Sequence, residues 1–251
     1  MWVHGAEVQP WWRRKYNYTT PEELEVAKGE SEIRIAFWQD LTKQLNENVQ
    51  FVFVSKYFAE EVMGDIEYRF AENQYTVIHN PIDTEIFNYV KKDVSQRKKI
   101  LSIRPYASAK YANDLSVKAI LELSKKPYFS ELEFKMIGDG KLFDEILEPL
   151  RKFDNVIIQR GFLKQNEIAD LHKEYGVFLT PTRMDAQGVS RDEAMASGLV
   201  PVTNAVAAIP EFVDGKCGIL APKNDYLEMA KGIEEIVRKS LRLCLKIAPK
   251  G

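Results

Sequence analysis

Two carboxylates with seven residues between them, Asp185 and Glu193, belong to the segment LTPTRMDAQGVSRDEAMASGLVPV. This pattern predicts a strand end, a loop with Gly188 and Val189, and then a helix start. A helix N-terminus offers unpaired backbone N–H groups and a partial positive charge, so it can bind a diphosphate. Gly188 allows the backbone close to a ligand, and carboxylates accept hydrogen bonds from hydroxyl groups. The alternative is that both acids merely favour the helix dipole.

Two cations, Arg104 and Lys110, follow the apolar run KILSI. Arg104 comes directly after this predicted strand, at its carboxyl end, where open α/β sheets bind ligands. Arginine offers a bidentate fork and lysine a point charge, so the pair suits a diphosphate. No Asp-x-Asp pair is suited to a metal, so we predict no metal and no separate cofactor. The alternative is two surface cations among the 35 lysines and arginines.

Two glycine-containing turns follow further predicted strands. Gly138 begins a GDG turn, but Phe143 occupies the position of the third glycine in a dinucleotide fingerprint, so we predict only a tight turn near a nucleotide. The second turn, RGFL, contains Phe162. Its side chain is equally consistent with a buried ring under a loop.

The composition is that of an ordinary globular protein. The formal net charge is -2, which gives no electrostatic basis for binding nucleic acid. Two cysteines, Cys217 and Cys244, fit a reducing compartment. No apolar run approaches the roughly 20 residues needed to span a bilayer, and the first residues lack the apolar core of a signal peptide. We therefore predict a cytoplasmic protein.

Apolar runs of strand length alternate with helical patterns, which predicts an α/β fold with parallel sheets. The predicted strands are Phe51–Val54, Thr76–Ile78, Ile100–Ile103, Phe134–Ile137, Val156–Ile158, Val177–Leu179 and Val200–Val202. The predicted helices are Asn113–Leu123, Leu142–Leu150, Glu167–Tyr175, Arg191–Ala196 and Tyr226–Val237.

The sequence IHNPID, from Ile78 to Asp83, predicts a domain boundary because an Asn-Pro step interrupts regular structure. We expect domains at 1–78 and 79–240, with a tail at 241–251. The first region is expected to contain one strand and two helical segments, too little for an independent core. The second is expected to contain five or six strands.

Four segments, in this order and spacing, resemble family 4 (group 1) retaining glycosyltransferases of the GT-B fold. They are VIHNPIDTEIF, ILSIRPYASAKYAND, FKMIGDGKLFDEI and the acidic segment from Leu179. Three features depart from the family pattern. The first acid is Asp185 instead of glutamate, the interval from Arg104 to Lys110 is one residue longer, and the family's N-terminal half begins well before Met1.

The resemblance implies a complete Rossmann-like C-terminal donor-binding domain and the end of a Rossmann-like N-terminal domain. It also implies metal-independent transfer, with retention, from a nucleotide-diphosphate sugar to a glycan or lipid-linked acceptor. Arg104 and Lys110 would stabilise the diphosphate, Asp185 would bind sugar hydroxyls, and Glu193 would bind the ribose. Gly188, Val189, Gly138 and the backbone around Phe162 would contact the nucleotide.

The N-terminal segment contains two further candidates. His4, in an HG pair after a short apolar run, resembles the family's histidine near the donor sugar, although a lone histidine is more often structural. The run from Trp11 to Tyr16 mixes aromatics and cations, which would suit peripheral membrane association or a lipid acceptor. We favour a solvated loop with buried aromatics.

Two other functions fit the same residues. The chain, expected to be a fragment of a longer protein, would be a binding module if it held a nucleotide sugar without transferring it. A nucleotide-sugar epimerase or a phosphorylase of the GT-B fold is the other alternative, and product analysis without an acceptor separates it from a transferase.

Overall fold

The computed structural model describes residues 1–45 and 48–238. These residues form two compact units. The first comprises residues 1–80 and 185–187, and the second comprises 81–184 and the described residues from 188 onward. The predicted tail at 241–251 and Cys244 lie outside the described residues. Within the described part of the chain, no helix is both long enough and apolar enough to cross a membrane.

The first unit is a small parallel sheet with helices. Its elements are β1 (Trp2–Val3), α1 (Pro21–Lys43), β2 (Phe51–Phe53), α2 (Lys56–Asp65) and β3 (Tyr75–Val77). Among its described residues the strand order is β1-β2-β3, and both pairs are parallel. The strands β2 and β3 match the predicted strands Phe51–Val54 and Thr76–Ile78, and β1 adds a third strand of two residues, so the expectation of one strand in this region was wrong.

Aromatic side chains form the core of the first unit. Phe51 and Phe53 point to the buried side of β2, and the Phe51 and Phe70 ring centroids are 4.5 Å apart. Trp38 on α1 packs against Phe51 and donates a hydrogen bond of 2.8 Å from its indole nitrogen to the Glu7 carbonyl. This contact attaches α1 to the loop that follows β1.

The predicted loop from Trp11 to Tyr16 is instead a 3₁₀ helix, Trp11–Asn17. Arg13 holds it against α2 through hydrogen bonds of 3.0–3.2 Å to the Asp65 carboxylate. The expectation of buried aromatics here was wrong, because none of the residues of this helix is buried and Trp12 is exposed.

The second unit is a parallel sheet of doubly wound topology. Its strands are β4 (Lys99–Ile103), β5 (Glu133–Gly138), β6 (Val156–Arg160), β7 (Val177–Leu179), β8 (Val200–Asn204) and β9 (Ile219–Ala221). Its α-helices are α3 (Asn113–Leu123), α4 (Phe143–Leu147), α5 (Gln165–Glu174), α6 (Val189–Ala196), α7 (Ile209–Phe212) and α8 (Tyr226–Arg238). Among the described residues the strand order is β6-β5-β4-β7-β8-β9, which is the Rossmann order. The predicted α/β fold class with parallel sheets is confirmed.

Helices cover both faces of this sheet, because successive strand residues point to opposite sides. Ile100 belongs to a core shared with α3 and α8, whereas Leu101 belongs to a core shared with Ala194 of α6. The strands therefore read as continuous apolar runs, as expected for a sheet buried on both faces.

Three helices begin or end two or more residues away from the predicted bounds. The helix expected at Leu142–Leu150 ends at Leu147 and continues as a 3₁₀ turn, because Pro149 lacks the N–H that would continue the α-helix. The helix α5 begins at Gln165 instead of Glu167. The helix α6 begins at Val189 instead of Arg191, so its first turn is closer to Gly188 than expected.

Candidate active site

The strand order places Arg104 at the point where the topology of the sheet reverses. The connection after β4 leads to β5 on one side, while β7 pairs with β4 on the other side. Arg104 directly follows β4, at its carboxyl end, and the residue is only 5% exposed. In open α/β sheets this crevice is where ligands bind.

Arg104 reaches the first turn of α6. Its Nη1 atom donates a hydrogen bond of 3.3 Å to the Ser190 hydroxyl. Gly188 precedes this helix with φ +97, a left-handed conformation that disfavours other residues. A side chain there would also lie 2.8 Å from the Arg191 guanidinium. The fold thus brings a buried cation to a helix N-terminus, and both features attract an anion.

A tyrosine that the sequence analysis did not select, Tyr111, connects Arg104 with Lys110. The Arg104 guanidinium carbon is 5.0 Å from the centre of the Tyr111 ring, and the Lys110 Nζ atom is 5.8 Å from the same centre. Both distances are in the range of a cation–π contact. The two predicted phosphate-binding cations therefore meet at one aromatic ring.

The turn that carries Lys110 is held by the segment after β7. The Lys110 carbonyl accepts hydrogen bonds from the Arg183 backbone at 2.8 Å and from the Thr182 hydroxyl at 3.2 Å. The Arg183 guanidinium also donates to the Ala109 carbonyl and, through two bonds of 2.8 Å, to the Asp114 carboxylate. Burial is the largest single influence on Asp114 and opposes its ionisation, but the hydrogen bonds and charge of Arg183, together with the charge of Lys118, outweigh it and lower the pKa of the carboxyl group.

The Gly138 turn packs directly on the backbone of Arg104. A side-chain carbon at Gly138 would lie 1.9 Å from the Arg104 carbonyl oxygen, so no other residue fits without a shift. The Asp139 carbonyl accepts a 2.8 Å hydrogen bond from the Tyr106 N–H, which joins the turns after β4 and β5. Gly138 is therefore needed for the close packing of the turns after β4 and β5 at the edge of the sheet.

Phe162 follows β6 at the same edge of the sheet, and its residue is 76% exposed. The alternative of a ring buried under a loop is therefore wrong. The neighbouring Gly161 N–H donates a 3.0 Å hydrogen bond to the Gly138 carbonyl, which places the turns after β5 and β6 side by side. The exposed Phe162 ring thus lies at the carboxyl edge of the sheet, beside the Gly138 turn.

Glu193 lies in the middle of α6 and is half-buried. Burial and the negative charge of Asp192 raise the pKa of Glu193 to about 7. Asp192 itself is paired with the Arg191 guanidinium at 2.6 Å, and Arg191 lies over the Phe212 ring at 5.1 Å. The carboxyl group of Glu193 is therefore near its midpoint of titration at neutral pH.

Two predicted site residues belong to the first unit. Asp185 is half-buried, and its carboxylate accepts a 3.3 Å hydrogen bond from the Gln187 N–H. The Gln187 side chain is buried and forms two hydrogen bonds, of 2.6 and 3.0 Å, with the backbone of Asn80. His4 is exposed and stacks on the Trp2 ring, with 5.9 Å between centroids.

The contributions of Tyr111, Ser190 and Arg183 were missed from the sequence. The sequence could have indicated Tyr111, because it is adjacent to Lys110 and lies in the loop YASAKYAND after the predicted strand Ile100–Ile103. Arg183 gave no such signal, because its partner Asp114 is 69 residues away in the chain.

Comparisons with known proteins give the family. The model of the family described as Glycosyl transferases group 1 matches residues 97–239, which is more than half of the chain. An uncharacterized glycosyltransferase of Methanocaldococcus jannaschii is 24% identical over 197 residues, which cover 75% of this chain and 49% of the relative. The alpha-monoglucosyldiacylglycerol synthase of Acholeplasma laidlawii is 27% identical over 170 residues, which cover 62% of this chain and 42% of the synthase. The chain thus spans half or less of the length of these curated relatives.

Solved structures support the fold. The Anabaena protein Alr3699/HepE, in complex with UDP and glucose, matches with a TM-score of 0.69 at 14% identity. The match covers 86% of this chain and 60% of that protein. The structural neighbours are glycosyltransferases of the GT-B fold. With the family match over the second unit, these findings show that the chain belongs to the group 1 glycosyl transferases.

Proposed function

We propose that this chain is the donor-binding part of a glycosyltransferase that transfers a sugar from a nucleotide-diphosphate sugar. One observation carries the proposal. Arg104 and Lys110 meet at Tyr111 beside the first turn of α6, at the carboxyl edge of the sheet. This arrangement concentrates positive charge where a diphosphate would develop negative charge as the sugar bond breaks.

The proposed mechanism combines this placement with the resemblance to the family. The bond between the anomeric carbon and the diphosphate oxygen breaks, and a bond forms between that carbon and the acceptor oxygen. The acceptor proton passes to an oxygen of the leaving phosphate. Arg104, Lys110 and the N–H groups of α6 stabilise the departing charge, so metal independence is part of the proposal. Retention, with attack on the face from which the diphosphate leaves, rests on the resemblance to the family.

The remaining site residues would orient the donor. The Glu193 carboxylate would accept both ribose hydroxyls, and Gly188 and Val189 would offer backbone contacts to the phosphates. The backbone around Phe162 would contact the base, and Asp185 and His4 would contact the sugar. A glycan or lipid-linked molecule is the proposed acceptor, and peripheral membrane association would follow only from a lipid-linked one. A location in the cytoplasm remains part of the proposal.

Binding tests the donor site. A thermal-shift panel of UDP-, GDP- and ADP-sugars should identify one base that raises the melting temperature, because a ligand stabilises the state it binds. Calorimetry with Arg104→Ala should then show a larger loss for the nucleoside diphosphate than for the nucleoside. Arg151→Ala is the matched control, since this exposed arginine precedes β6 at the opposite edge of the sheet. Equal losses for both ligands with Arg104→Ala would mean that Arg104 is only structural.

Turnover tests the reaction. With donor and acceptor, a glycosylated product of unchanged anomeric configuration in the presence of a chelator is the expected result. Loss of activity with the chelator would refute metal independence, and inverted product would refute retention. An altered sugar nucleotide formed without an acceptor would favour an epimerase, and binding without transfer would favour a non-catalytic module.

A further inference from the structure

The Tyr111 ring contacts both cations of the candidate diphosphate site. Tyr111 ends a 3₁₀ turn, Ala109–Tyr111, whose start is capped by the Ser108 hydroxyl. Its half-buried ring contacts the Arg104 guanidinium at 5.0 Å and the Lys110 ammonium at 5.8 Å. We propose that Tyr111 is a positioning residue that holds Arg104 and Lys110 together for a diphosphate. This inference rests on the proposed function and deepens it.

The physical problem that Tyr111 solves is repulsion between like charges. Two cations brought to one site before the ligand arrives repel each other, and each has a long side chain with many rotamers. The face of an aromatic ring carries negative quadrupole density, which attracts a guanidinium or an ammonium without neutralising it. A carboxylate in the same place would attract both cations but would also repel the diphosphate. An aromatic ring therefore preorganises the cations and leaves their charge available.

The ring is itself held in a defined position. Arg183 donates to the carbonyls of Ala109 and Lys110, at 2.7 and 2.8 Å, so the turn is bonded to the segment after β7. The next residue, Ala112, has φ 48 and is the N-cap of α3, which fixes the exit of the chain. Tyr111 therefore sits on a rigid turn, as a positioning residue must.

The other tyrosine of this segment has a different role. Tyr106 is fully buried, and its ring packs edge-on against Phe143 at 5.0 Å, within the core shared with α3. Replacing Tyr106 would therefore disturb the fold, whereas Tyr111 can be replaced at the partly solvated site. Two tyrosines in one six-residue stretch thus have different roles, since Tyr106 packs in the core and Tyr111 positions the cations.

The test compares ligands that differ only in their phosphates. Tyr111→Leu should weaken binding of the nucleoside diphosphate by about tenfold, the combined effect of two cation–π contacts, and should leave binding of the nucleoside unchanged. Tyr111→Phe keeps the ring face and should stay within about twofold of the parent protein. Tyr128→Leu is the matched control. Its ring contacts Arg238 at 5.4 Å, but it precedes β5 at the amino edge of the sheet, so neither ligand should be affected.

A second variant keeps the inference testable if Tyr111→Leu does not fold. Trifluorophenylalanine at position 111 preserves the shape of the ring and removes its negative face, so it should reproduce the loss of diphosphate affinity. Affinity equal to that of Tyr111→Phe would overturn the inference. Equal losses for diphosphate and nucleoside would also overturn it, because Tyr111 would then contact the ligand directly or support the fold.

The same experiment separates this inference from the proposed function. If the parent protein and Arg104→Ala bind the diphosphate equally, the proposed diphosphate site fails, and the role of Tyr111 fails with it. If Arg104→Ala weakens diphosphate binding while Tyr111→Leu does not, the proposed function stands and the positioning role alone is wrong.

Discussion

Glu193 should make the affinity for a nucleotide sugar rise with pH across the neutral range. Burial and the charge of Asp192 raise the pKa of Glu193 to about 7. If the carboxylate accepts hydrogen bonds from the ribose hydroxyls, the ligand binds the deprotonated form and lowers this pKa. Binding then releases a proton, and protonation competes with the ligand.

The size of the effect follows from the pKa. With a value of about 7, roughly nine-tenths of Glu193 is protonated at about pH 6, and roughly one-tenth at about pH 8. Affinity should therefore be about tenfold weaker at about pH 6 than at about pH 8. Glu193→Gln cannot titrate, so its affinity should be independent of pH. At about pH 8 it should bind ten- to a hundredfold more weakly than the parent, the range for a hydrogen bond to a charged group.

Calorimetry with a nucleotide sugar measures the coupling between ligand binding and ionisation of Glu193. The diphosphate of a nucleotide sugar is esterified at both ends, so the ligand itself does not ionise near neutral pH. Titrations in buffers of different ionisation enthalpy should show release of about half a proton at about pH 7. A 2′-deoxy donor is the matched ligand control and should release less. A flat pH profile in the parent, or the same profile in Glu193→Gln, would refute the reasoning.

The stability of the ligand-free protein should change in the opposite direction. A carboxyl group whose pKa is raised by folding contributes stability that is complete below its ordinary value of 4.5. That contribution is lost as the pH rises through about 7. The melting temperature of the parent relative to Glu193→Gln should therefore fall across this window while affinity rises.

Three further predictions test how the fold holds the site. Gly138→Ala should destabilise the chain by about 3 kcal/mol in urea denaturation, the upper end of the cost of overpacking, because its side-chain carbon would lie 1.9 Å from a backbone oxygen. Gly161→Ala, also at positive φ but with open space around it, should cost less. Gln187→Leu removes two hydrogen bonds to the linker backbone and should lower stability by about 1–3 kcal/mol; an unchanged melting temperature would contradict this. Burial and the charge of Lys92 lower the pKa of His172 to about 4, so stability should fall as pH drops from 6.5 through about 4. His172→Leu should flatten that acid dependence, and an unchanged slope would show that other groups cause it.

The sequence alone predicted most of the second unit. Strand-length apolar runs and helical periodicity are local properties, and a sheet buried on both faces leaves them clear. The position of Arg104 after β4 followed from the same pattern. The strand β9 was not predicted, because its three residues form a strand only through pairing with β8.

Side-chain environment could not be predicted in the same way. Phe162 was equally consistent with a buried ring, and the structure shows it exposed. The pKa of Glu193 likewise depends on burial within the fold and on the orientation of Asp192. These properties depend on what surrounds a residue in space.

The sequence by itself thus determined the class of fold, the family resemblance and the cations, since these depend on residue types at fixed spacings. The tertiary structure decided that Arg104 lies at the reversal point of the strand order and reaches the first turn of α6, 86 residues further along the chain. It also decided that the Tyr111 ring contacts both Arg104 and Lys110. The number of residues between two segments does not tell how far apart they lie in the folded protein. Strand pairing and loop packing decide that distance, so these contacts could be found only in the tertiary structure.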